Sequence, residues 1–173
     1  MTLSRRALAA GGLVAVAAIA AGIGAGVWRV GAARDAAAAR ALFALTLPDA
    51  GGTAQPLSQW EGRPLVVNFW APWCAPCVEE MPDLQRFRDQ YRSRGLEVIG
   101  LGIDTAPRIR EFRDQNRITL PLLVAGLEGS AIGDQLGNTA GVLPYTVLIG
   151  ANGRVLERKV GRVRPEELHR WFE

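Results

Sequence analysis

Both cysteines of this 173-residue chain lie in Trp73-Cys74-Ala75-Pro76-Cys77, shortly after the apolar run Leu65–Trp70. A C-x-x-C pair between a strand and the start of a helix is a dithiol/disulfide switch, and few folds place one there. At a helix N-terminus, unpaired N–H groups and the macrodipole favour the thiolate of Cys74, lowering its pKa from about 8.5 toward roughly 7. Cys74 is then the attacking thiol. Cys77, one helical turn on, is placed to resolve a mixed disulfide. Pro76 stiffens the turn between them.

Three other uses of paired cysteines compete with this reading. A purely structural disulfide over so short a loop gains little chain entropy. A zinc site needs two further ligands, and the chain has no third cysteine and a single histidine, His169. Haem attachment needs a histidine after Cys77, where Val78 stands. The redox reading is preferred, with no metal and no cofactor beyond the two thiols. A copper-handling factor using the thiols as soft ligands is the alternative from another class, with only Met1 and Met81 to supply thioethers. A thiol peroxidase fits less well, since no Thr-x-x-Cys pattern precedes Cys74.

The N-terminus carries a different signal. Ala7 to Val27 is free of charge, follows Ser4-Arg5-Arg6 and ends at Trp28-Arg29. As a helix it spans about 31 Å, enough to cross a bilayer. Residues 1–6 then form a basic cytoplasmic start, 7–28 a membrane anchor or export signal, 29–40 an Ala-rich linker or frayed helix end, and 41–173 the main domain. The competing reading is a buried Ala-rich helix. Ser4-Arg5-Arg6-Ala7-Leu8 is a weak match to a twin-arginine export signal, and small residues at 31–33 and 36–38 leave cleavage open. Either way the bulk of the chain is expected on the periplasmic side of the membrane, anchored or released, where disulfides form and are managed.

Charge excludes a nucleic-acid binder. The leader holds Arg5, Arg6, Arg29 and Arg34, leaving 16 of the 20 basic residues against all 17 acidic ones, a net of −1 from Asp35 onward. Arg86, Arg88, Arg92 and Arg94 are interleaved with Asp83 and Asp89 and read as a solvated helix face.

Along the chain, Phe43, Leu45 and Leu47 alternate as a short strand, ended by turn residues before Leu57. Leu65–Trp70 is a buried central strand. Met81, Leu84, Phe87 and Tyr91 share a face of the helix after the cysteines, which Pro82 should kink and Gly95 should stop. A second strand over 96–103 and a helix with Ile109 and Phe112 imply parallel pairing. A third strand follows over 120–124, then a short helix over 130–136 stopped by Gly137. Strands at 145–149 and 154–160 flank Asn152-Gly153, a hairpin signal because both residues tolerate positive φ. A helix over 165–172 closes the chain.

This order is that of the thioredoxin fold, an α/β fold, here with an N-terminal β-hairpin, a central insertion between residues 96 and 140, and the N-terminal membrane segment. Val67-Asn68-Phe69-Trp70-Ala71-Pro72-Trp73-Cys74-Ala75-Pro76-Cys77 and Leu143-Pro144-Tyr145-Thr146-Val147-Leu148-Ile149 resemble the TlpA/ResA-type branch, exported and often membrane-tethered thiol:disulfide oxidoreductases. The resemblance covers about residues 41 to 173 and implies a protein-disulfide reductase whose common task is cytochrome c maturation. Disulfide-containing client proteins and a membrane thiol electron donor are the implied partners. A disulfide-donating oxidant is the alternative within the same class.

By that resemblance Cys74 is the nucleophile and Cys77 the resolving thiol. Pro144 matches the cis-proline beside the active site, Leu143 offers backbone groups to an extended client, and Trp73 and Pro76 complete the binding rim. Asn68 stands where cytoplasmic thioredoxins carry a buried acid, and Glu80 matches the acid of this branch. Helical spacing independently puts Glu80, and not Glu79, near the face of Cys77, where its carboxyl can take a proton or raise the cost of a thiolate.

Overall fold

Six consecutive uncharged residues form β3 (Leu65–Trp70), and all six are buried. A strand buried on both sides needs neighbours along both edges and a layer over each face. In the computed structural model it is the middle strand of a five-stranded sheet, in the order β5 (Leu122–Val124), β4 (Glu97–Gly102), β3, β6 (Tyr145–Ile149), β7 (Val155–Val160). Residues 5–172 are described, with side chains from Gly22 to Phe172. They divide into two compact units, one reaching to Asp35 and one starting at Ala36.

The crossover after β3 carries α2 (Ala75–Tyr91) and returns through β4 (Glu97–Gly102), parallel to β3 with Leu65 opposite Glu97. Helix α3 (Ala106–Asn116) leads to β5 (Leu122–Val124), parallel to β4. Helix α4 (Glu128–Gln135) precedes β6 (Tyr145–Ile149), which runs antiparallel to β3 with Phe69 opposite Tyr145. Strand β7 (Val155–Val160) completes the sheet and α5 (Pro165–Phe172) the chain.

The period-2 alternation of β3 feeds two cores. Val66 and Trp70 cluster with Met81, Leu84 and Phe87 of α2 and with Ile109 and Phe112 of α3. Leu65, Val67 and Phe69 cluster with Ala39, Leu42, Leu57 and Val147. A buried ion pair between Arg88 of α2 and Glu97 of β4 adds a polar tie between helix and sheet. Helix α2 continues through Pro82, and its stop is a 3-10 turn, Arg92–Arg94, closed by Gly95 at φ 88°.

Several boundaries differ from the sequence expectation. Helix α1 (Arg5–Phe43) includes residues 29–40, expected as linker or frayed end. Alanine is the best helix former, and Ala39, Leu42 and Phe43 gain burial by staying helical. The strand expected from Phe43 is therefore only β1 (Thr46–Pro48), paired with β2 (Ala54–Pro56) in an antiparallel hairpin. Asp49 at the end of β1 bridges to Leu123, and the Ala50 N–H donates to the Leu122 carbonyl at 3.1 Å. Strand β5 starts after Pro121, which has no N–H to give a ladder. The turn between β6 and β7 is longer than a two-residue one: only Gly153 has positive φ, 72°, and a register shift lies at Leu148/Ile149.

The membrane-crossing segment expected over 7–28 falls on α1. Its side chains before Gly22 lie outside the described residues, as do residues 1–4 of the basic start. Among the described residues no helix is long and apolar enough to cross a membrane. From Gly22 onward Ile23, Val27, Trp28 and Val30 are exposed.

Gly100 of β4 is closely packed by the side chains of Leu122 and Trp70. A Cβ there would come within 2.7 Å of Leu122 Cδ2 and 3.0 Å of Trp70 Nε1, both side chains being buried. Gly100→Ala should therefore destabilise the oxidised protein by about 1–3 kcal/mol through overpacking. Denaturant midpoints of the two proteins check this, and an unchanged midpoint contradicts it.

Candidate active site

At the end of β3 the chain turns through Ala71 to Trp73, and the Cys74 N–H donates to the Ala71 carbonyl at 3.1 Å. Cys74 occupies the N-cap position of α2 with extended backbone, φ −91° and ψ 101°, and Pro76 lies in the first turn. Proline is tolerated there because its missing N–H has no helical partner to lose. Cys74 and Cys77 form a disulfide, with their Cα atoms 5.2 Å apart.

The two sulfurs are not equivalent. Cys74 is 7% exposed and Cys77 is 0% exposed, so an incoming thiol or disulfide meets Cys74 first. Reduction leaves the Cys74 sulfur at a helix start, where the dipole favours the anion. Trp73, 63% exposed, and Pro76 form the solvent-facing rim.

Leu143 and Pro144 reach the same end of the sheet by topology. Strand β6 begins at Tyr145 opposite Phe69, so Pro144 lies level with Trp70, at the end of β3 from which the chain runs to Cys74. The Leu143–Pro144 bond is cis. Leu143 packs against the cluster that includes both cysteines, and Pro144 is buried with its carbonyl accepting from the Gly161 N–H at 2.8 Å.

Glu80, on the first turns of α2, is fully buried, unlike its exposed neighbour Glu79. Its Oε1 accepts from Asn68 Nδ2 at 2.6 Å and its Oε2 from the Val163 N–H at 2.8 Å. Asn68 Nδ2 also donates to Thr146 Oγ1 at 3.0 Å. Burial pushes the Glu80 carboxyl up to about 7; the Val163 N–H, the Asn68 amide and the Arg162 charge pull it down, and Asp83 adds to the rise. A carboxyl near 7 can both hold and release a proton at neutral pH.

In the sequence Asn68 marks only the absence of an acid. The structure makes it the donor that holds Glu80, backed by Thr146, its register partner on β6. A signal was available: Asn68 alternates with Val66 and Trp70, so it faces α2 from inside an otherwise apolar strand. Val163 carried no signal, because its backbone N–H is what counts. Arg162 beside it pairs with Glu79 at 2.7 Å and Asp83 at 3.4 Å, fixing this loop over α2. Among the described residues no group of three or more His, Cys, Asp or Glu is gathered to hold a metal.

A disulfide-forming pair at a helix start, on a sheet of this order, defines the class of thioredoxin-like thiol:disulfide oxidoreductases. Residues 33–170 match the Redoxin family model, and the chain belongs to the Redoxin family. It is similar to the thiol-disulfide oxidoreductase ResA of Bacillus thuringiensis (strain Al Hakam), 30% identical over 126 residues that cover 72% of this chain and 70% of that one. ResA of Geobacillus kaustophilus is 29% identical over 130 residues, covering 73% and 71%. Two solved structures share the fold. StoA from Bacillus subtilis has a TM-score of 0.61 at 21% identity, covering 75% of this chain and 96% of that one. A thiol:disulfide interchange protein from Chlorobium tepidum TLS has a TM-score of 0.65 at 24% identity, covering 73% and 89%.

The Glu80 carboxyl gives stability a pH dependence of known sign. Its folded pKa, about 7, lies above the ordinary carboxyl value of 4.5, so its stabilising contribution is complete below about pH 4.5 and is lost as pH rises through 7. Glu80→Gln removes this dependence: its amide can donate to Asn68 Oδ1, which has no partner in the wild type, once the Asn68 amide rotates. The oxidised wild type should lose roughly 2.5 kcal/mol more than the variant between pH 5 and pH 8. Denaturation of both oxidised proteins at the two pH values measures it, and identical losses would contradict it.

Proposed function

We propose that this protein reduces disulfides of exported proteins through the Cys74/Cys77 dithiol, and that residues 7–28 tether it to the outer side of the cytoplasmic membrane. The observation that carries the reading is the asymmetry of the pair, a partly accessible sulfur at the helix cap and a fully buried one three residues before a buried carboxyl that titrates near neutrality. The Cys74 thiolate attacks a client disulfide, forming a mixed disulfide and releasing one client thiol. Cys77, losing its proton toward Glu80, attacks the Cys74 sulfur. The second client thiol leaves, and the protein's own disulfide forms. Two electrons have passed to the client, and a membrane thiol donor restores the dithiol.

Trp73, Pro76, Leu143 and Pro144 provide the rim on which the client lies. The similarity to ResA proteins supports cytochrome c maturation as the setting. Ala and Pro between the cysteines offer no side chain to stabilise a thiolate strongly, which favours a reductant, with a potential nearer about −270 than −120 mV.

Cys74→Ser should abolish disulfide reduction by the full chain, and Cys77→Ser should accumulate a mixed disulfide with the client that dithiothreitol releases. Turnover by the Cys74→Ser protein would remove the assignment of the nucleophile. Protease added to spheroplasts should digest the catalytic unit, and protection until lysis would place it inside.

Glu80→Gln should lower at least one cysteine pKa by about one unit, since a nearby carboxylate disfavours a second negative charge. It should also slow the Cys77 step. Thiolate absorbance against pH in single-cysteine variants reads the first effect, and unchanged titrations would reduce Glu80 to a structural role.

A further inference from the structure

Trp73 separates two unlike surfaces. On one side it meets Arg108, Glu111 and Gln115, a polar strip above Phe112. On the other it forms one wall of an apolar groove of about 570 Å³, completed by Ile103, Val124 and Leu127. Leu127 is 91% exposed, more than any other large apolar side chain among the described residues. Nothing in the fold gains from leaving a leucine there.

Leu127 is held in place by the backbone around it. Gly126 takes φ +57°, a left-handed turn that glycine makes at little cost. Gly129 lies so close to the groove floor that a Cβ would come within 2.9 Å of both Ile103 Cγ1 and Ala125 Cβ. The start of α4 is thereby pressed onto the end of β4, with Leu127 projecting beside the groove. Arg108 lines the same groove with its side chain 66% exposed, while Asp104, 3.7 Å from it, is 9% exposed. The groove is apolar, with the Asp104–Arg108 ion pair at its rim.

What occupies it follows from its continuity with the reacting sulfur. Trp73 precedes Cys74, so their Cα atoms are about 3.8 Å apart. A client bonded to Cys74 passes over this surface. In extended form it advances about 3.3 Å per residue, so a side chain two or three residues from the client cysteine reaches across the indole.

We propose that the Trp73–Leu127 groove is a specificity subsite that takes an apolar client side chain two or three residues from the attacked cysteine. This rests on the reading of the protein as a disulfide reductase acting on polypeptides. The exchange itself is unchanged: one peptide disulfide and the Cys74/Cys77 dithiol give two peptide thiols and the Cys74–Cys77 disulfide. The subsite lowers the barrier to the first attack by burying the flanking side chain, so it acts on kcat/KM.

The test uses the full reduced chain in detergent with disulfide-linked dimers of short peptides. These carry Leu, Gly or Lys at the second or third position from the cysteine, on either side. The Leu peptide of at least one spacing should be turned over with kcat/KM roughly tenfold above its Gly counterpart, and the Lys peptide should fall below Gly. Leu127→Ser should bring the Leu-to-Gly ratio to within about twofold of unity, and Leu127→Met should restore the preference. Equal turnover of Leu and Gly peptides by the wild type overturns the subsite while leaving the reductase reading intact. A ratio that survives in Leu127→Ser overturns it as well. Failure to turn over any peptide disulfide would instead reject the reductase reading on which the subsite rests.

Discussion

A carboxyl buried in an apolar core must be given hydrogen bonds or it destabilises everything around it. Glu80 sits beneath α2 under that constraint, and the elements near the site are arranged to meet it. Strand β3 contributes Asn68, β6 supports Asn68 through Thr146, and the segment after β7 supplies the Val163 N–H. Two stretches of chain, at 68 and 163, thus converge on one side chain of the helix that bears the cysteines, and a third, at 146, holds the first in place. With Arg88–Glu97 tying the far end of α2 to β4, the catalytic helix is fastened to the sheet by polar contacts at both ends and by apolar packing between them. The satisfaction is incomplete, because two donors do not fully offset burial, and the carboxyl titrates near 7 in consequence.

The same helix is left open at its first residue. Cys74 caps α2 with a side chain that makes no capping hydrogen bond, so the first turn keeps N–H groups without a helical partner at the end where the sulfur sits. A serine or aspartate there would cap the helix better and do no redox chemistry. Stability at this cap has been exchanged for a reactive group. The rigid attachment of the rest of α2 keeps that exchange local.

Much of this was legible in the residues. The C-x-x-C turn, the uniformly apolar β3 and the Met81/Leu84/Phe87/Tyr91 stripe set the central crossover, since each is a local pattern with a local cause. Glu80 was legible from helical spacing alone. The polar cradle was less so: Asn68 was visible as an oddity in its strand, but its partners are 12 and 78 residues away. The boundary near Phe43 is hidden in the sequence, because Phe43, Leu45 and Leu47 alternate like a strand while Phe43 ends α1. Only the burial of Ala39 and Leu42 against distant residues shows why the helix runs on. The groove beside Trp73 was invisible for a related reason, as Ile103, Val124 and Leu127 come together only when β4, β5 and α4 are assembled.

The two margins of the sheet finish differently. At β5 the hairpin after α1 lays Asp49 and Ala50 against Leu122 and Leu123, so backbone groups that would recruit another strand are already engaged. At β7 the margin is Val155–Val160, whose central residues Glu157, Arg158 and Lys159 place both signs of charge along the outermost ladder. A second chain aligned there would have to desolvate those charges, a device by which natural sheets resist edge-to-edge growth. The sheet therefore ends at five strands, and a protein built to handle other chains' disulfides does not offer its own margins as a template for their aggregation.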